Sequence, residues 1–423
     1  LDRRSQFKLS PQLYGRSSEF DAIAESIGNI NSQTAEILLL TGDSGIGKTA
    51  LVNQVIPSII GSKGYFIAGK FEQLGGSTPY KAIIQALREL IQQLLTETLE
   101  SRQLWQQKIQ TAIANNGKVI TNILPELELI IGSQADIPKL PTRENQNRFN
   151  NVFIKFLQVF AQAESPLILF LDNLQWADSG SLNLLELLLE DHDSRHLLIV
   201  GAYCDRVVEE SPLVHTIAKI SQATQVKQIN LQPLAIAEIN CLLVDTLNCE
   251  PERSLPLAQL LLQRTHGNLF LLNLLLQAFE REQLITFDFA TLSWQWSIPQ
   301  IQSTSLANYN ILELLCSNLN QLPPACLQIL KLAACIGDRF DLKLLTNIWQ
   351  EIAKLSAIDT VNLNQELDYA LQEGIIILSI PNQLPLINFA RPCLSNNLFP
   401  ATTSRIKPNP WNNWEILVAR SSL

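Results

Sequence analysis

The stretch that most narrows what this chain can become is Gly42-Asp43-Ser44-Gly45-Ile46-Gly47-Lys48-Thr49. It follows the apolar run Ile37-Leu38-Leu39-Leu40 and precedes Ala50-Leu51-Val52. A glycine, four residues and then Gly-Lys-Thr, set between a strand pattern and a helix pattern, form a phosphate-binding loop. Glycines let the backbone turn tightly so that N–H groups converge on phosphate oxygens. The following helix adds its positive N-terminal end, Lys48 reaches the terminal phosphates, and the Thr49 hydroxyl can ligate Mg²⁺. Gly42 to Ala50 are therefore read as a nucleotide cradle.

Such a loop needs an acid on a neighbouring strand to hold Mg²⁺. Asp172 closes the run Leu167-Ile168-Leu169-Phe170-Leu171, the continuous apolar pattern of a parallel strand covered on both faces. Further strands read at 65–70 and 197–203. Helices read from the loop to near Pro57, then over about 80–99, 102–115, 149–160 and 179–190, with 133–147 as a surface loop. This alternation predicts a three-layer α/β P-loop domain over 13–230, after a lead at 1–12, with nucleotide at the carboxyl ends of the strands. Helices at about 235–247, 254–264 and 268–283, closed by a hairpin around Ile285–Phe289 and Trp294–Trp296, predict an all-helical domain over 231–300. Three helices from Pro324 to about 373 and the strand Ile375–Leu378 predict a winged-helix-like domain over 301–380. The remainder, 381–423, is expected to be poorly ordered.

Composition narrows the setting. Hydrophobic residues make up 46% of the 423, enough for several cores, and the net charge is −9. That acidity, and the lack of a Lys/Arg cluster around 342–373, argue against a nucleic-acid partner. Seven scattered cysteines without a C-x-x-C pair fit a reducing, cytoplasmic compartment, and no apolar run reaches membrane-spanning length. His192 and His196 lie in a helix-to-strand turn and read as solvated. His266, beside Gly267-Asn268, reads as a helix-terminal residue, and Trp294 and Trp296 as packing aromatics.

Leu171-Asp172-Asn173-Leu174-Gln175-Trp176-Ala177-Asp178 resembles the L-D-D-L-Q-W-A-D block of the signal-transducing P-loop ATPases with numerous domains, a branch related to AAA proteins. The resemblance runs over about 7–380. It takes in Leu13-Tyr14-Gly15-Arg16, Gly69-Lys70-Phe71-Glu72-Gln73, Pro125-Glu126-Leu127-Glu128, Gly201-Ala202-Tyr203 and Gly267-Asn268. It is similar to the ATPase module of large cyanobacterial signalling proteins, which lies between a Ser/Thr kinase domain and GAF and histidine-kinase regions. The resemblance implies ATP and Mg²⁺ as ligands, with Thr49 and Asp172 on the metal and Tyr14, Arg16 and Leu269 near the nucleotide. It further implies a switch whose open–closed equilibrium is set by ATP binding and hydrolysis. No kinase motif occurs in the chain. With no methionine even at position 1, an isolated or truncated module is the expectation.

Three departures touch the chemistry. Asn173 stands where the pattern has a second acid; its amide can orient water but cannot take a proton as a carboxylate does. Cys204 replaces an arginine expected to sense the γ-phosphate, with Arg206 two positions on as a substitute. Leu269 replaces a proline next to the adenine. Lys48, Asp172 and Asn173 are thus the candidate catalytic set, and impaired hydrolysis is the sharper expectation. Three functions compete: an ATP-dependent regulatory switch with protein partners or self-association, a nucleotide-holding scaffold without turnover, and a DNA-binding winged helix. Arg143 and Arg148 are candidate trans-acting fingers if copies associate.

Overall fold

In a computed structural model the chain is described over residues 7–30, 35–61, 64–72, 79–138, 141–205, 211–224, 226–304, 322–336, 339–356, 363–372, 376–379 and 386–389. It divides into two compact units, 1–301 and 302–423.

The first unit is built on α1 (Ser17–Asn29), β1 (Glu36–Thr41), α2 (Lys48–Ile60), β2 (Tyr65–Lys70), α3 (Lys81–Thr96), α4 (Leu99–Ile113), α5 (Gly117–Thr121), α6 (Glu128–Ile131) and α7 (Thr142–Gln158). These are followed by β3 (Leu167–Asp172), α8 (Ser179–Glu190), β4 (Leu197–Ala202), α9 (Pro212–Ala223) and β5 (Val226–Asn230). The five strands form one parallel sheet in the order β2-β3-β4-β1-β5. Side-chain alternation along the strands makes the layers. Ile37, Leu39, Leu167, Leu169, Leu171, Leu197 and Ile199 face one core, shared with α3, α7 and α8. Leu38, Leu40, Ile168, Phe170, Leu198 and Val200 face the other, shared with α1 and α2. Every residue of β3 and β4 is buried. At about 1.5–3 kcal/mol for each large apolar side chain, these central strands are the most strongly held part of the sheet. β1 lies between β4 and β5, so the loop after it opens at the carboxyl edge where the strand order reverses.

The helical part belongs to the same unit. It comprises α10 (Ile236–Leu247), α11 (Pro251–Thr265), α12 (Leu269–Arg281) and the hairpin β6 (Ile285–Asp288) with β7 (Ser293–Trp296), and then α13 (Ile298–Ser303) begins. The lead runs along it: the Ser10 N–H donates to Thr246 Oγ1 at 3.3 Å, and Phe7 packs edge-on against Trp294. Trp294 is a buried packing aromatic, as expected.

The second unit contains α14 (Pro324–Ile336), β8 (Arg339–Asp341), α15 (Leu342–Ser356), α16 (Leu363–Gln372), β9 (Ile376–Ser379) and β10 (Leu386–Phe389). Its sheet is antiparallel in the order β8-β10-β9.

Several boundaries differ from the sequence reading. α2 runs past Pro57 to Ile60, because a proline in the last turn costs one hydrogen bond and leaves the rest of the helix intact. The stretch read as helix over 80–99 ends at Thr96, and α4 starts afresh at Leu99 with Thr98 as its cap. α7 starts at Thr142 rather than 149, so six of the fifteen residues expected as loop, 142–147, are helix. Its first two turns are polar and carry no apolar stripe for a periodicity argument to find. β10 falls within the stretch expected to be poorly ordered. Gln73, Arg206, most of 301–321 and the tail from 390 lie outside the described residues.

Candidate phosphate and metal site

The loop between β1 and α2 has the backbone its glycines were expected to allow. Gly42, Gly45 and Gly47 have φ of 139°, 80° and 107°, a region that side chains rarely enter. They also sit under close neighbours. A Cβ on Gly42 would lie 2.8 Å from the Leu231 carbonyl oxygen, and one on Gly45 would lie 2.7 Å from Phe270 Cβ. α2 begins at Lys48 with Gly47 as its cap, so its free N–H groups open into the loop.

Lys48 folds back over the loop: its Nζ donates to the carbonyls of Gly42 at 2.7 Å and Asp43 at 2.9 Å. Burial pushes its pKa down, against the pull of nearby Cys204, Asp172, Asp205 and Asp43. The Thr49 hydroxyl donates to Asp172 Oδ2 at 2.9 Å, joining the start of α2 to the end of β3. Asp172 is only 7% exposed. Burial pushes its pKa up, opposed by the Thr49 hydrogen bond, the Lys70 charge, the Asn173 N–H and Lys48. A buried carboxylate beside a hydroxyl, both hard oxygen donors, fits a divalent cation of the Mg²⁺ type. An inward-facing lysine, glycines with no room for a Cβ and a helix N-terminus fit a nucleoside polyphosphate.

Other expected residues fall at different distances from this centre. Arg16 is buried and braces the loop from behind: its guanidinium donates to the carbonyls of Ile46 at 3.3 Å and Gln232 at 2.8 Å and pairs with Glu19 at 3.1 Å. The Tyr14 hydroxyl lies 2.6 Å from both Ser10 Oγ and Asp245 Oδ2, on the helical part. Its pKa is pushed up to about 12 by burial and by that carboxylate. Leu269 opens α12 and would lie 3.3 Å from a Cβ on Gly47. Asn173 takes the left-handed conformation, φ 59° and ψ 44°, which asparagine tolerates better than most residues. Its side chain turns toward β2, donating to the Phe71 carbonyl at 3.3 Å. The Cys204 thiol stands beside the loop, grouped with the carboxylates of Asp43 and Asp205 within 4.8 Å.

Two contacts were not read from the sequence. Asn268 caps α12 by accepting the N–H groups of Phe270 and Leu271, while its Nδ2 donates to the Ser44 carbonyl at 2.8 Å. The Phe270 N–H also donates to the Gly45 carbonyl at 3.0 Å. Two loop carbonyls are thus held by the first turn of α12. An Asn followed by an apolar helix is a recognisable cap, but its second partner is 224 residues away in the chain. His192 is exposed, and neither it nor His196 joins a metal-type cluster among the described residues.

Residues 12–200 match the AAA ATPase domain family. Over 80% of its length the chain is 30% identical to the hybrid signal transduction histidine kinase G of Dictyostelium discoideum. Over 57% of its length it is 24% identical to histidine protein kinase 1 of Candida albicans. The aligned regions cover only 12% and 11% of those two proteins. Among solved structures, a STAND protein with a tetratricopeptide repeat sensor from Pyrococcus horikoshii aligns over 96% of this chain and 45% of its own. The TM-score is 0.47 and the identity 12%. No helix among the described residues is long and apolar enough to cross a membrane.

Proposed function

We propose that this chain is an ATP-binding module that acts as a nucleotide-dependent regulatory switch in signal transduction, with ATP and Mg²⁺ as its ligands. The observation that carries the reading is the linkage of the loop on both sides. Thr49 and Asp172 join it to the sheet, and Asn268 and Phe270 join it to the helical part. A nucleotide that reshapes the loop acts on both sets of contacts, so the helical part is where binding would be converted into a change of state. In this reading Lys48 and the loop N–H groups hold the phosphates, Thr49 and Asp172 hold Mg²⁺, and Leu269 lies on the nucleotide's flank. The signalling role extends to this chain what the name of the Dictyostelium relative says of that protein. We extend it further to a module of a larger protein of the kinase–ATPase–histidine-kinase kind, cytoplasmic, with protein partners or further copies as its readers. The second unit is assigned as winged-helix-like on its order of helices and antiparallel strands.

A second reading, nucleotide held without turnover, is favoured by Asn173. That position carries no carboxylate, and its amide is directed to Phe71 rather than held free for water. The experiment is thermal unfolding with ATP, with and without Mg²⁺, beside phosphate release, using Lys48→Ala as the reference. Stabilisation with release, both lost in Lys48→Ala, establishes an active switch. Stabilisation without release establishes the scaffold, and no stabilisation overturns both.

A further inference from the structure

The phosphate side of the site facing β4 has no arginine among the described residues, yet it is built with care around one neutral side chain. Leu174, buried in the 3₁₀ turn Leu174–Trp176 after Asp172, packs where a Cβ on Gly201 of β4 would stand. That contact presses the turn against the end of β4. The next residue, Gln175, accepts the Cys204 N–H on its Oε1 at 3.3 Å. A backbone N–H requires an acceptor, so this bond sets which way the carboxamide faces and leaves Nε2 as the outward donor. Nε2 donates to no group among the described residues, whereas the amide of Asn173 is already engaged with Phe71. Cys204 in turn stands beside Asp43 of the loop and Asp205, in the neighbourhood of Lys48.

We propose that Gln175 is the residue by which the site distinguishes a nucleoside triphosphate from a diphosphate: anchored to Cys204, it offers its amide donor to the γ-phosphate. The inference rests on the ATP reading above and gives a role to Gln175, a position of the Leu171–Asp178 block to which the sequence reading assigned none. A neutral donor suits the place. Asp43 and Asp205 beside Cys204 already bring negative charge there, and an amide can approach a phosphate oxygen without a repulsion of its own.

The test is the affinity of the full chain for ATP and for ADP, each with Mg²⁺, measured by calorimetry for wild type, Gln175→Ala and Gln175→Glu. Loss of one hydrogen bond to a charged group predicts about 10-fold weaker ATP binding in Gln175→Ala, with ADP binding unchanged. Gln175→Glu keeps an acceptor for the Cys204 N–H but replaces the donor by a charge. ATP binding is expected to weaken further in it, with ADP again spared. Equal losses for both nucleotides would mean that Gln175 only supports the fold, and unchanged ATP affinity would mean that it does not reach the phosphate; either overturns the proposal. Wild type that binds neither nucleotide overturns the ATP reading itself, and that failure is seen before any Gln175 variant is compared.

Discussion

The two sides of the phosphate site are built differently. On the side of α2 and β3, every group expected to hold a phosphate and its metal is present and linked: Lys48 over the loop and Thr49 on Asp172. On the side of β4, the groups are Asn173 turned away to Phe71, a cysteine thiol, and Gln175 bonded to the backbone. The first side depends on backbone N–H groups, a lysine and a carboxylate, which suffice to bind. The second side is where charge developing during phosphoryl transfer must be met, and among the described residues its donors are neutral and stand beside the carboxylates of Asp43 and Asp205. On the proposed function, binding and turnover are therefore separable, and each can be broken without the other.

The largest effect should come from the binding side. Lys48→Ala is expected to weaken ATP by about 100-fold, the loss of a charged donor at a phosphate, while leaving the nucleotide-free melting temperature nearly unchanged; titration of both proteins checks it. Gly45→Ala should destabilise the fold by about 1–3 kcal/mol, because an alanine is forced to φ near 80° and its Cβ meets Phe270. Urea midpoints measure this, and an unchanged midpoint would show that α12 yields easily.

Asp172→Asn has a sign worth working out. The carboxyl is pushed up in the folded protein, so the folded state holds its proton more tightly than the unfolded state does. Stability is then greatest at acid pH and falls as pH rises from the ordinary carboxylate value through the folded one. Replacing the buried carboxylate should raise the nucleotide-free melting temperature at pH 7 and flatten that fall, while abolishing the extra stabilisation that Mg²⁺ adds to ATP. A lower melting temperature at pH 7 would mean that the Thr49 and lysine contacts outweigh the burial of charge.

The smallest effect is expected from Asn173→Asp. A carboxylate cannot donate to the Phe71 carbonyl, so about 1 kcal/mol of stability should be lost. Phosphate release should not rise. A clear gain in release would show that the missing acid is what limits turnover and would join the two sides of the comparison.

Much of this was legible in the chain. The loop, the run ending at Asp172 and the helix 179–190 emerged from local pattern, since each is a short stretch whose residue types satisfy one backbone geometry. The polar start of α7 and the pair α9 and β5 were not. The first turns of α7 carry no apolar stripe and β5 is half-exposed at the sheet edge, so packing rather than pattern holds these two. Arg16 shows the limit most plainly. The resemblance implied a place near the nucleotide; Arg16 lies behind the loop, and its guanidinium is spent on the carbonyls of Ile46 and Gln232 and on Glu19.

Residue order along the chain was enough to specify the glycine-rich loop, the acid that closes β3 and an alternating α/β domain, because those properties depend on neighbours within a few residues. The direction of Asn173 and Gln175, the grip of Asn268 on Ser44 and the role of Arg16 came from the packed molecule alone. A side-chain amide or guanidinium takes whichever partner folding brings within 3.5 Å, and for these residues most of the partners are remote in the chain.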